Sequence, residues 1–216
     1  MRLPAILCCP IDALHAPSLV AAVPKCEVQL LKKCFDELVS ASLQLDLPIF
    51  QSDATRLAEI IENYILKTGK AGFEDICRVA QNATKCIQSE PGQIDACLAP
   101  EIMSQTFNIS LQSAKSYTVL LKEIGYECTE EYEVIKENLK CVIKQYPSVK
   151  AATQKCLKDY IAALKQHPEQ FCSLYSNMIS CQLAPYNACG SDARESVCRT
   201  INYGLASLIP HCKIIC

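Results

Sequence analysis

Apolar residues recur along this chain at spacings of three and four, as they do on one face of an amphipathic helix, and nowhere alternate for more than a few residues as in a half-buried strand. The first stripe is Val28, Leu31, Phe35, Leu38 and Val39. The second, Leu57, Ile60, Ile61 and Tyr64, follows a start signal at Ser52-Asp53 and precedes a stop at Gly69. A third runs through Phe73, Ile76, Cys77, Ala80 and Ile87 and ends at Pro91-Gly92. A fourth helix is predicted from Leu111 to Leu121, stopping near Gly125.

Glu130, Glu131 and Glu133 then load the first turn of a fifth predicted helix, where negative charge suits the helix dipole. Its stripe is Tyr132, Ile135, Leu139, Val142 and Ile143, and Pro147 is expected to close it. Ser148 is placed to cap a sixth, with Val149, Thr153, Cys156, Tyr160, Ile161 and Leu164 facing inward and Pro168 beyond. Phe171, Leu174, Tyr175 and Met178 mark a seventh; Ala193, Val197, Ile201, Leu205 and Leu208 mark an eighth before Pro210. No linker is rich in glycine or serine. The expected fold class is all-α: a single disulfide-crosslinked helical domain of about seven or eight helices, spanning 23–216.

Half of the 216 residues are apolar, which excludes a disordered chain. The net charge is −2 with both signs interspersed, so no basic stripe points to nucleic acid. No apolar run reaches the length of about 18 residues that a membrane span needs, and a soluble protein is expected.

The sixteen cysteines change the picture most. None forms a Cys-x-x-Cys pair, which removes the thioredoxin motif and the usual zinc knuckle. Of the three histidines (His15, His167 and His211) only His211 adjoins a cysteine, Cys212. So many thiols suit an oxidising compartment, where they serve as bridges. Residues 1–22 read as a degraded signal peptide or a misassigned N-terminus, with Arg2 and a short apolar run broken by Pro4, Pro10, Asp12 and His15. Loss of that segment removes Cys8 and Cys9. Fourteen cysteines remain as disulfide candidates: Cys26, Cys34, Cys77, Cys86, Cys97, Cys128, Cys141, Cys156, Cys172, Cys181, Cys189, Cys198, Cys212 and Cys216.

Helix geometry limits how these can pair. Cys172 and Cys181 lie nine residues apart on one predicted helix, about 13 Å along its axis. A bridge needs Cα atoms within roughly 7 Å, so the two cannot bond each other. The same holds for Cys77 and Cys86, and for Cys26 and Cys34 if their helix is continuous. Bridges must therefore run between elements. FEDICRVAQNATKCIQSEPGQIDAC (73–97) and FCSLYSNMISCQLAPYNAC (171–189) share an aromatic start, Cys-x8-Cys, a proline-containing break and a third cysteine. Either a duplicated unit or common constraints on stapled helices would produce this echo. Two sequons, at Asn82 and Asn108, are glycosylation candidates that agree with extracellular life.

The arrangement from Cys26 to Cys212 resembles a family of secreted cysteine-rich helical domains of unknown function, expanded in nematodes. It is similar in style to the cysteine-rich domain of nematode chondroitin proteoglycan 4. The matching features are Cys26-x7-Cys34, Phe73 with Cys77-x8-Cys86, Gly125-Tyr126-Glu127-Cys128, Cys141 and Cys156. They continue with Phe171-Cys172-x8-Cys181, Cys189-Gly190-x-x-Ala193 and Pro210-x-Cys212. Against that pattern Cys198 and Cys216 look like additions, and an added pair could bond each other. The resemblance implies secretion and a helical fold and supplies no catalytic residue.

An enzyme is not expected. Cys212 beside His211 is the one local nucleophile pair, and Cys212 reads as half of a bridge; Glu130-Glu131 reads as helix-start charge. No catalytic, cofactor-binding or metal residue is assigned, and no cofactor is expected. The leading expectation is a secreted interaction or structural module whose partner is an extracellular protein or a matrix glycan. Lys32-Lys33 and the lysines at 136, 140, 144, 150, 155, 158 and 165 could meet a sulfated glycan, or simply form a solvated face. The alternative is a carrier of a small apolar ligand held among residues such as Ile60, Ile61, Leu139, Val142 and Ile201. An internal void of several hundred Å³ would favour the carrier.

Overall fold

The computed structural model describes residues 26–35, 50, 53–88 and 92–216. The expectations for residues 1–22, Cys8, Cys9, Leu38, Val39, Ser52 and Pro91 lie outside these. The fold is all-α: among the described residues there are nine α-helices and no strand. In chain order they are α1 (Val28–Lys33), α2 (Ala54–Thr68), α3 (Lys70–Ile87), α4 (Gln93–Cys97) and α5 (Pro100–Phe107), then α6 (Leu111–Glu127), α7 (Tyr132–Gln166), α8 (Phe171–Leu183) and α9 (Ser191–Leu205).

Local chemistry accounts for several boundaries. Oδ1 of Asp53 accepts hydrogen bonds from the backbone N–H groups of Thr55 and Arg56 at 2.6 and 3.0 Å, the expected start of α2. Gly69 ends α2 and begins α3 at φ 65°, a conformation that glycine adopts without a Cβ penalty. Ser110 caps α6 by accepting from Ser113 N–H at 3.0 Å.

Two expected stops do not operate. Gly125 lies inside α6, whose buried stripe carries on through Ile124 to Glu127. Pro147 lies inside α7, a helix of 35 residues and about 52 Å, and Ser148 caps nothing. The stripe explains why. Ile135, Leu139, Val142, Val149, Thr153, Cys156 and Tyr160 all bury, with half-buried Tyr146 between Val142 and Val149, so the spacing of three and four passes through the proline unbroken. Pro147 and Ser148 are exposed, so the hydrogen bond that the proline cannot make is lost on the solvent side. Three residues counted in their stripes, Val28, Tyr64 and Ile161, instead lie on exposed faces.

Seven disulfides pair all fourteen of the candidate cysteines. None joins two cysteines of one helix, as the spacing argument requires. Their order answers the question the sequence echo left open. The first six cysteines pair as Cys26–Cys97, Cys34–Cys86 and Cys77–Cys128. With Cys198 set aside, the next six pair as Cys141–Cys189, Cys156–Cys181 and Cys172–Cys212. Both sets join first to fifth, second to fourth and third to sixth, one of about 15 ways to pair six cysteines. Two halves sharing that order favour duplication over coincidence. Cys198–Cys216 falls outside the shared order and bonds within itself, as expected for an added pair.

The halves correspond to two hydrophobic clusters. One gathers α1 to α6 with the first turns of α7 around Phe73, Met103 and Tyr117; the other gathers the rest of α7 with α8, α9 and the C-terminal tail around Ile179, Leu183 and Tyr186. Among the described residues, α2 and the start of α3 lie between Cys34 and Cys77, whereas only the end of α7, a 3-10 turn at Pro168–Gln170 and the first residue of α8 lie between Cys156 and Cys172.

A candidate ligand cavity in the first half

A cavity of about 400 Å³ lies where α2, α3, α4 and α6 diverge. Leu57 and Ile61 of α2 form one wall, and Ile76, Val79 and Ile87 of α3 another. Leu98, just past α4, and Leu121 and Ile124 of α6 close the far side. The space exists because small residues occupy positions where larger ones would meet across it. Ala80 and Ala83 face it from α3, and a Cβ built on Gly125 of α6 meets nothing within 4 Å. Three bridges, Cys26–Cys97, Cys34–Cys86 and Cys77–Cys128, tie α3, α4 and the end of α6 around it, while α2 carries no bridge.

A few polar groups interrupt the apolar lining. Nζ of Lys122 lies 2.9 Å from Oδ1 of Asp95; the lysine side chain is 12% exposed and the aspartate side chain 56%. Thr129 and Glu130 also line the cavity, both exposed. Tyr126 of α6 stacks on Tyr203 of α9 with ring centroids 4.6 Å apart, so the second half contributes one edge of the site. Burial pushes both phenols above their usual range, helped by Glu131 for Tyr126 and by Asp95 for Tyr203.

Of the residues expected to line a carrier cavity, only Ile61 does so. Ile60 is half-buried beside it on α2; Leu139 is buried in the first cluster, Val142 and Ile201 in the second. Well-formed stripes pack against their neighbours, and empty volume arises instead where alanine and glycine interrupt them. Ala80, Ala83 and Gly125, with the single lysine within YTVLLKEIGYEC, line the space, but nothing in the sequence sets them apart from small residues that pack closely.

Other expected sites resolve differently. Cys212 is bonded to Cys172, so it offers no thiolate to His211. Those three residues cluster within 4.8 Å, but both sulfurs are committed to each other in the oxidised chain. Glu131 is more than helix-start charge: it is buried and paired with Arg199 of α9, and only Glu133 lies in the first turn of α7. Lys136 turns to Glu74 of α3 at 3.4 Å and sits 4.8 Å over the Tyr132 ring, instead of pairing with Glu133. The other α7 lysines are exposed along its outer face. Asn82 is exposed in mid-α3, and Asn108 is exposed between α5 and α6 at φ 52°.

A second, smaller void of about 10 Å³ adjoins the buried acids Glu62 and Glu127, room for a single water at most. Among the described residues no helix is long and apolar enough to cross a membrane. Compared with protein-family models, curated proteins and solved structures, the chain matches none.

Proposed function

We propose that this protein is a secreted, extracellular carrier of a small apolar ligand, a binding protein with no catalytic role of its own. The observation that carries the reading is the cavity. Its volume of about 400 Å³ falls within the range of about 300–1,000 Å³ typical of small-molecule sites, and its walls are mostly apolar with a few polar groups. Aliphatic walls left facing such a space are poorly packed, and an apolar occupant would bury them. Extracellular life is supported by the seven bridges, by two sequons on exposed asparagines and by the resemblance to secreted cysteine-rich domains.

Native mass spectrometry of the full chain, secreted from eukaryotic cells and freed of glycans, tests this. A stoichiometric excess over the oxidised chain that disappears on denaturation is the expected result, and Ala83→Phe, which fills the cavity, should remove it without loss of fold. A bare oxidised mass, together with failure to take up any apolar compound, overturns the carrier and returns the protein to the interaction or structural module, with a protein or matrix glycan as partner.

A further inference from the structure

We infer that the ligand is a single-chain amphiphile ending in a carboxylate, its head held by Lys122 and its chain laid among α2, α3 and α6. This rests on the carrier reading of the same cavity and adds the chemical class.

The head group follows from Lys122. An ammonium carries three donors, and among the described residues its one polar partner is Asp95. The side chain is 12% exposed, so its stem lies in the wall, while its ammonium meets a carboxylate whose side chain is 56% exposed. The ammonium thus stands where an apolar lining meets polar groups, and a ligand carboxylate there supplies a further charge-assisted acceptor. Asp95 does not stand in the way: more than half exposed, it can share the ammonium or turn to solvent.

The opposite assignment, a cationic head against Glu130 and the tyrosine faces, answers no unmet need. Glu130 is exposed and hydrated, and Tyr126 and Tyr203 already cover each other. The tail follows from the walls. Most of the lining is aliphatic, with Leu57, Ile61, Val79 and Leu121; Phe35 adds an aromatic face, and Thr84 of α3 is the one polar residue that the long helices α2 and α3 contribute. A flexible hydrocarbon chain suits an irregular space between helices, and each added pair of methylenes should tighten binding roughly tenfold until the cavity is full.

The test is calorimetric titration of the delipidated, fully oxidised chain with dodecanoate, dodecan-1-ol and dodecylamine below their micellar concentrations. Dodecanoate is expected to bind one per chain, about tenfold tighter than the alcohol. Lys122→Met should abolish that preference, and a far-UV circular dichroism spectrum and denaturation midpoint close to the parent's show that the variant is folded. Asp95→Asn, which removes the competitor for Lys122, should tighten dodecanoate severalfold. Dodecylamine binding more tightly than dodecanoate, or dodecanoate indifferent to Lys122→Met, overturns the head-group assignment and leaves the carrier standing. Binding of none of the three overturns both.

Discussion

Arg199 donates hydrogen bonds from Nε and Nη2 to the two carboxylate oxygens of Glu131, at 2.6 and 2.9 Å. The carboxylate is 5% exposed and the guanidinium 43%. This fork ties the start of α7 to α9 and so joins the two cysteine-defined halves. Burial works to raise the Glu131 carboxyl, and the hydrogen bonds and charge of Arg199 outweigh it, so the group sits below the ordinary carboxylate range. Stability from the pair is present above the unfolded value, about 4.3, and is lost as pH falls through the depressed folded value. Arg199→Met should destabilise by about 1–3 kcal/mol at neutral pH, because the carboxylate stays buried without its partner. Chemical denaturation across pH 2–7 checks the sign: the difference between variant and parent should shrink toward the acid end.

Gly69 tests the joint between α2 and α3. An added Cβ meets no atom within 4 Å, so any penalty for Gly69→Ala comes from the backbone at φ 65° and ψ −134°. A loss of about 1–3 kcal/mol is expected, read as a lower denaturation midpoint with an unchanged slope.

Gln182 of α8 is fully buried, and neither side-chain amide atom has a hydrogen-bond partner. Its amide is therefore desolvated without compensation. Gln182→Met keeps the shape and should stabilise by about 1 kcal/mol, visible as a higher Tm.

Bridge removal should follow loop length and location. Cys26 and Cys97 are 71 residues apart, Cys198 and Cys216 only 18. In the chain-entropy model the paired Cys26→Ala and Cys97→Ala change costs about 1 kcal/mol more than the paired Cys198→Ala and Cys216→Ala change. It should also weaken ligand retention, because Cys97 holds α4, and with it Asp95 and Leu98, against the cavity. Calorimetry of the two double variants separates the outcomes. Peptide mapping of the parent chain should recover the same first-to-fifth, second-to-fourth and third-to-sixth order in each half.

Helix periodicity and the reach of a disulfide are local rules, and what they dictate was legible. Asp53 starts a helix, Gly69 stops one, and Cys172 and Cys181 reach separate partners, Cys212 and Cys156. The same local rules failed at Pro147, where a stripe packed on both sides of the proline and bridges at Cys141 and Cys156 outweigh one lost hydrogen bond. They failed again for the cavity, since an alanine on a helix face looks alike whether a neighbour fills the space or leaves it open.

The amino-acid sequence by itself determined that this protein is a set of amphipathic helices crosslinked between elements, because 3.6-residue periodicity and the short span of a disulfide act within each segment. Only the tertiary structure decided which cysteines meet, that α7 runs unbroken, that Glu131 finds Arg199, and that Lys122 faces an apolar cavity beside Asp95. Each of these depends on distances between residues far apart in the chain, set by how the helices pack and by where small side chains keep them from packing closely.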